Sequence, residues 1–470
     1  MSFGQAWGPI KGAQGPIAVS RLRCRPTAAI HEKRESASFV KGGESTPGRR
    51  SPCLSVSVIV LSVPVASHST SSADEELEQA RTSDLATLRG RIHSIDAIRG
   101  FCLLNIFINH LSAGVLNRAS PSNLGLSDSA DLFVLLAGVS AYLASGNRRF
   151  RECTVHLWER AASLYLQNIV LITVSLATLL LLSLAAGADA LLDGGLVGSL
   201  AAMDTATAVW HLISFQQSVG YSMVLRLYVA LMLLAPVLIW LARRQWWLPL
   251  PIVTLIWAIA AHLDLVARDS LTGAPLTLTI LPWTLIFGIG LALGAALKQG
   301  VRLSRSPLLL AGALVVVGGY FAFLIVAQAW PEGQTWLLAR NDEFWLGGSK
   351  TYQSPLRVLH TLSLVYIFMR GAQAPVLRLI HNVGPDNLFV RLGRRSAPVF
   401  LAGALVAVPA NELVNLANQA WGAHSAPAVL TELILVVSGI ALMIFVANRT
   451  GLRIGPSLAG PRRVQPSSQT

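Results

Sequence analysis

One stretch of this 470-residue chain gathers side chains that can move protons and hold anions: Asp96, Arg99, Asn105, Asn109 and His110 all fall within residues 91–110. Arg99 and His110 are eleven residues apart, close to three helical turns. On a helix they share a face, about 16 Å apart along the axis. Asp96 lies one turn from Arg99 and on nearly the same side. The stripe therefore carries a carboxylate and a guanidinium toward one end and an imidazole deeper in an apolar helix. Imidazole titrates near neutrality and suits general-base work. Asp131, in the next apolar run, is expected to hold one ring nitrogen and orient the other. For Asp96 and Arg99 a plainer reading stays open, an ion pair that orients the helix at the membrane surface. No GxSxG elbow surrounds a serine, which argues against a serine acyl-enzyme. Cys24, Cys53, Cys102 and Cys153 have no CxxC spacing, so neither a metal site nor a disulfide framework is expected.

The elements that must hold this stripe follow from composition. Hydrophobic residues make up 53% of the chain and charged residues 13%, about half the charge of a soluble domain. This excludes a disordered, fibrous or soluble multidomain protein and predicts an all-α polytopic membrane protein. Ten apolar runs are candidate spans, near 97–116, 128–146, 163–187, 222–241, 246–264, 278–297, 307–328, 355–372, 396–411 and 427–447. Residues 1–90 read as a basic, disordered cytoplasmic leader, because Leu54–Ala66 is too short an apolar run to cross a bilayer. Residues 91–450 form the membrane domain and 451–470 a cytoplasmic tail.

The formal net charge of +13 reads as topology, not as affinity for nucleic acid. With ten spans drawn, the Arg-rich segments around 148–160, 243–244, 298–305, 370–395 and 449–463 all fall on one side. The opposite loops hold Arg118, Arg268, Arg340 and Lys350 beside several carboxylates. That bias predicts both termini in the cytoplasm, N-in and C-in. Two outer segments, 188–221 and 329–354, are longer than simple loops. The second carries Trp330, Trp336 and Trp345, which suit the membrane interface or the face of a sugar ring.

Arg99 and His110 also match the R-x10-H signature of the acyltransferase-3 superfamily. The pieces around them resemble the OpgC family, enzymes that add succinyl groups to osmoregulated periplasmic glucans. These pieces are RIHSIDAIRG…INH at 91–110, GLSDSADLFVLLAGVSAYL at 125–143 and ERAASLYLQN at 159–168. RLYVALMLLAPVLIWLAR at 226–243, SKTYQSPLRVLHTLSLVYIF at 349–368 and LGRRSAPVFLAG at 392–403 follow in order.

The resemblance implies acyl transfer at the bacterial inner membrane, from a cytoplasmic CoA thioester, succinyl-CoA above all, to hydroxyls of a periplasmic glucan. No cofactor beyond the donor is implied. Arg99 and Arg160 would hold the donor phosphates. His110 would act as base, with Asp131 or Asp96 orienting it, and Asn109 and Trp283 would meet the acceptor. Two positions depart from the family pattern: Asp131 replaces a glutamate, and Trp283-Thr284 replaces Trp-Gln. Acetyl transfer to another envelope polysaccharide therefore stays open. A secondary transporter of a glycan or small solute is the reading from another class, and it requires two related halves. The polar stripe occurs once, without an internal repeat.

The ten-span topology is checked by reporter fusions. Fusions after residues 155, 245 and 385 are expected to read cytoplasmic, and those after 205 and 340 periplasmic; one reversal breaks the scheme.

Overall fold

The structure is a computed structural model. It describes residues 93–120, 125–186, 204–214, 222–268, 273, 275–301, 304–340, 343–345, 347–370, 378, 382–423 and 425–449. The leader 1–90, the tail 451–470 and most of segment 188–221 lie outside the described residues.

Helices occupy every one of the ten predicted runs. In chain order they are α1 (93–109), α2 (Ser129–Ser145), α3 (Phe150–Ala186), α4 (Thr205–Ile213), α5 (Ser222–Arg244), α6 (Pro249–His262) and α7 (Ile280–Lys298). α8 (Pro307–Gln328), α9 (Pro331–Arg340), α10 (Pro355–Arg370), α11 (Leu388–Arg394), α12 (Ser396–Trp421) and α13 (Ala426–Asn448) follow. A short 3-10 helix covers Leu116–Ala119. Among the described residues the only β-type pairing is an isolated bridge between Arg268 and Pro275.

Six helices, α3, α5, α7, α8, α12 and α13, are long and apolar enough to cross a membrane, while α2 and α6 are shorter apolar helices. The chain is an all-α membrane protein. Its outer helices show why. On α8, Leu308 and Val315 are 80% and 71% exposed, and only lipid makes such a surface tolerable. Their backbone groups are satisfied within the helix, as hydrocarbon requires.

Side-chain contacts set helix direction. The Tyr228 hydroxyl donates to Phe133 O (3.0 Å) and the Arg243 guanidinium to Ser145 O (3.0 Å), so α5 runs parallel to α2. Gln299, just past α7, donates to Ala242 O near the end of α5 (3.1 Å). Asn105 near the end of α1 meets Ser129 at the start of α2, making these two antiparallel. Trp257 near the end of α6 donates to Tyr352 O (2.8 Å), just before α10. Tyr366 near the end of α10 donates to Ser304 O (2.8 Å), just before α8. Each of these pairs has the direction that alternation along the chain requires.

The centre of the bundle is the seam between α2 and α7. Without a hydrophobic force to drive helices together in lipid, close backbone approach through small residues supplies the packing. A Cβ at Gly138 would collide with Phe287 O, and one at Gly290 with Leu135 O. Gly290 and Gly294 are spaced four apart on one face of α7, and both approach α2 backbone. Gly290→Leu is therefore expected to force this seam apart. Thermal unfolding in detergent should show a large loss of stability, beyond the ~1–3 kcal/mol typical of overpacking, because the obstacle is backbone.

Candidate active site

Helix α2 begins with a capping box. The Asp128 carboxylate accepts from the backbone N–H groups of Ala130 and Asp131, and the Asp131 carboxylate accepts from Asp128 N (2.8 Å). Both carboxylates are then held by α10 and the loop before it. Arg357 lies 2.7 Å from Asp131 Oδ2 and 3.0 Å from Asp128 Oδ2 through Nη2. Its Nε donates to Asp131 Oδ1 (3.1 Å) and its Nη1 to Leu126 O (2.9 Å). Lys350 Nζ pairs with Asp128 Oδ2 at 2.6 Å. Gln353 Nε2 donates to Asp131 Oδ1 (2.7 Å), from a backbone in the left-handed region at φ 52°. A non-glycine residue there is strained, and the bond to Asp131 helps hold it. Two carboxylates and two cations leave the cluster neutral.

Asp131 is fully buried, and the predicted Asp131–His110 contact is not formed. The guanidinium fork matches a carboxylate at two atoms and outcompetes a ring nitrogen for it.

The position of His110 also needs correction. Helix α1 ends at residue 109, not 116, so His110 is the first residue past the helix and does not lie inside an apolar span. His110 N bonds Phe107 O (3.2 Å), tightening the last turn, and the ring Nδ1 lies 2.8 Å from Ile106 O. The chain leaves the helix here because its polar groups are collected by α12 and α13. The Glu432 carboxylate, 1% exposed on α13, accepts from Val115 N and Leu116 N, each at 2.8 Å. Asn411 Oδ1 accepts from Ala113 N (3.2 Å), and Asn418 Nδ2 donates to Ala113 O (2.8 Å). Asn105 joins the same loop, accepting from Ser120 Oγ (2.8 Å). His110 lies within electrostatic reach of both Lys350 and Asp128. The imidazole therefore borders the ion cluster, on a strapped turn.

A second group of charges surrounds Arg99. Its guanidinium, 6% exposed, bonds Ser396 Oγ (2.5 Å) and reaches Ser140 Oγ (3.5 Å), with the Phe133 ring 5.6 Å away. Arg160 of α3 is close enough for the two guanidinium charges to act on one another, and both act on Tyr228. Among the described residues, no carboxylate forms an ion pair with either arginine. Asp96 pairs instead with Arg394 at 3.7 Å, so the predicted Asp96–Arg99 ion pair is absent, and Asp96 lies toward the other end of α1 from His110. Gly393 brings α11 against the Asp96 backbone, which is why Arg394 reaches it first.

Trp283 departs from its predicted role at the acceptor. It is fully buried on α7, and its indole N–H donates to Lys350 O (2.9 Å). It shapes the loop that carries Lys350 and Gln353 and presents no face to a sugar. Asn109 is half-buried beside His110. Trp330, Trp336 and Trp345 are exposed, and Trp336 stacks beneath Arg340.

Sequence reasoning missed Arg357, Lys350, Gln353 and Glu432, and also His360, whose Nδ1 lies 2.7 Å from Ser127 Oγ. Ionisable residues inside apolar runs signalled three of them. The D-x-x-D pattern at Asp128–Asp131 signalled the cap that binds Arg357, Lys350 and Gln353.

Arg357→Met is expected to destabilise the protein by about 3–5 kcal/mol, because it strands the buried Asp131 carboxylate. Adding Asp131→Leu should recover part of that loss. A double-mutant cycle by thermal or denaturant unfolding in detergent checks both.

A family model described as OpgC protein matches residues 91–453. No curated protein and no solved structure matches the chain. The matched region includes both arginines, His110, the ion cluster and Glu432, and membership supports a glucan-modifying acyltransferase in the broad sense. With more than half of its length inside that match, the chain belongs to the OpgC protein family.

Proposed function

We propose that this protein is an O-acyltransferase of the bacterial inner membrane, moving a succinyl group from cytoplasmic succinyl-CoA to hydroxyls of a periplasmic glucan. The observation that carries the reading is the pair of Arg99, buried on α1, and Arg160, half-buried on α3, two guanidiniums without an ion-paired carboxylate among the described residues, with Arg99 eleven residues from an imidazole. Two like charges in a membrane interior are costly. An anionic ligand offsets that cost, and the phosphates of a CoA donor supply one. The ten helices and the arginine-rich segments support ten crossings with both termini in the cytoplasm. In that orientation the arginine pair lies nearer the cytoplasm than His110, which borders the outer face.

His110 then acts as general base. With Nδ1–H donating to Ile106 O (2.8 Å), the acceptor lone pair lies on Nε2. Nε2 takes the proton of a glucan hydroxyl as its oxygen attacks the thioester carbonyl. The C–S bond breaks, the CoA thiolate leaves, and the imidazolium returns the proton to sulfur. The Ile106 carbonyl and the Glu432 strap orient the ring, the role first expected of Asp131 or Asp96. Asp128 and Lys350 set the local field, and Asn109 is the polar neighbour through which a sugar hydroxyl is guided.

His110→Gln is expected to lose at least 10²-fold in transfer, the usual general-base contribution, with protein abundance and donor binding retained. Mass spectrometry of periplasmic glucans from cells carrying wild type, the variant or no gene reads it. A succinyl increment with wild type alone supports the proposal, an acetyl increment replaces the donor, and more than a tenth of wild-type transfer by the purified variant removes His110 as the base.

A further inference from the structure

Helix α3 meets its neighbours with a face on which leucines and polar side chains alternate. At 100° per residue, Arg160, Gln167, Asn168 and Ser175 fall within about 100° of arc around the line of Leu157, Leu164 and Leu171. Gln167, Asn168 and Ser175 are 4%, 0% and 1% exposed. Buried polar residues in membrane helices ordinarily bond across to a neighbouring helix. These do not. Among the described residues neither end of the Asn168 amide has a hydrogen-bond partner, nor does Gln167 Oε1, nor the Ser175 hydroxyl. Gln167 Nε2 reaches only Ser163, on its own helix, at 3.2 Å. Unpaired amides away from water are costly, and lipid tails cannot pair them.

The stripe begins at one of the charged groups already described, at Arg160. α3 runs antiparallel to α5, since Trp158 bonds Leu233 O while Arg160 is within electrostatic reach of Tyr228, closer to the start of α5. α5 is parallel to α2 and α2 antiparallel to α1, so α1 and α3 leave the arginine pair in the same direction. Asn168 is eight residues beyond Arg160, about 12 Å along the axis, and His110 eleven beyond Arg99, about 16 Å.

We propose that this face of α3 is the polar wall of the passage occupied by the pantetheine arm of the acyl-CoA donor, with Asn168 and Gln167 bonding its amides. The inference rests on the donor reading above. The arm is a thin chain of two amides separated by methylenes, which matches a wall of side-chain amides interleaved with leucines. One amide N–H and one carbonyl answer the unpaired oxygen and nitrogen of Asn168.

The test uses purified full-length protein and two donors, succinyl-CoA and succinyl-pantetheine, which keeps the arm and lacks the nucleotide. Asn168→Leu is expected to raise KM about tenfold for both donors, the worth of one hydrogen bond, with acceptor KM within twofold of wild type. Its thermal stability should match or exceed wild type, because an unpaired amide has been removed. A purely structural role for Asn168 would change stability and leave both donor KM values alone, which overturns the proposal. A rise confined to succinyl-CoA overturns it too, since that assigns Asn168 to the nucleotide end. Should the leucine variant not fold, Asn168→Ser with equilibrium dialysis of desulfo-CoA replaces it: weaker binding supports the wall, unchanged binding overturns it. Wild-type protein that neither transfers succinyl nor binds desulfo-CoA would defeat the donor reading itself, a result distinct from a silent Asn168 substitution in an active enzyme.

Discussion

Arg357 is the residue around which the rest of the site is arranged. It is 6% exposed, yet it binds both carboxylates of the α2 cap and the Leu126 carbonyl. A guanidinium has five donors in a fixed plane, so satisfying it fixes the approach of whatever surrounds it. Here that means the start of α2, the loop 349–354 and the first turn of α10. Trp283 then fixes the Lys350 carbonyl from α7, and Trp257 the Tyr352 and Gln353 carbonyls from α6. Four helix ends meet because the buried Arg357, the buried Asp131 and the half-buried Asp128 must be neutralised away from bulk water.

The same constraint explains the turn at His110. A helix ending inside a membrane protein exposes backbone groups that nothing in lipid can satisfy. Glu432, Asn411 and Asn418 satisfy them at residues 113–116. Outside this loop Tyr352 does comparable work, donating its hydroxyl to Asp264. That bond, with help from Arg268, holds the Asp264 carboxyl below the usual carboxylate range. The Tyr352 hydroxyl is pushed up to about 12, by burial first and by Asp264 second. Polar side chains in this protein thus fall into two sets. Those bonded to backbone or to each other build the site. Others, Asn168 and Ser175 of α3 among them, have no side-chain hydrogen-bond partner among the described residues.

Charge is separated between the two ends of α1. Among the described residues neither Arg99 nor Arg160 is ion-paired with a carboxylate, whereas the cluster of Asp128, Asp131, Lys350 and Arg357 is neutral. A reactive imidazole beside an uncompensated cation would be a weaker base, and one beside an uncompensated carboxylate would be held as imidazolium. Asp128 and Asp131, neutralised by Lys350 and Arg357, place no net charge at this end of α1.

The amino-acid sequence alone determined the membrane class and the presence of a helix in each of the ten apolar runs. These depend on local apolar runs and on the fixed rise and rotation of a helix, which neighbouring residues suffice to specify. The pairing of Asp131 with Arg357, 226 residues away in the chain, was not legible, because an aspartate's partner is decided by which helices pack. The end of α1 at residue 109 escaped for the same reason. Leu111 and Val115 continue the apolar pattern, and the groups that stop the helix, Asn411 and Glu432, arrive from the far end of the chain. Trp283 read as a sugar platform because aromatic type does not reveal burial. Only the packing of α7 against α2, through glycines without side chains, put that ring inside. Periodicity reports which face of a helix is apolar; the tertiary structure decides what meets it, since buried charge must find its partner wherever the fold delivers one.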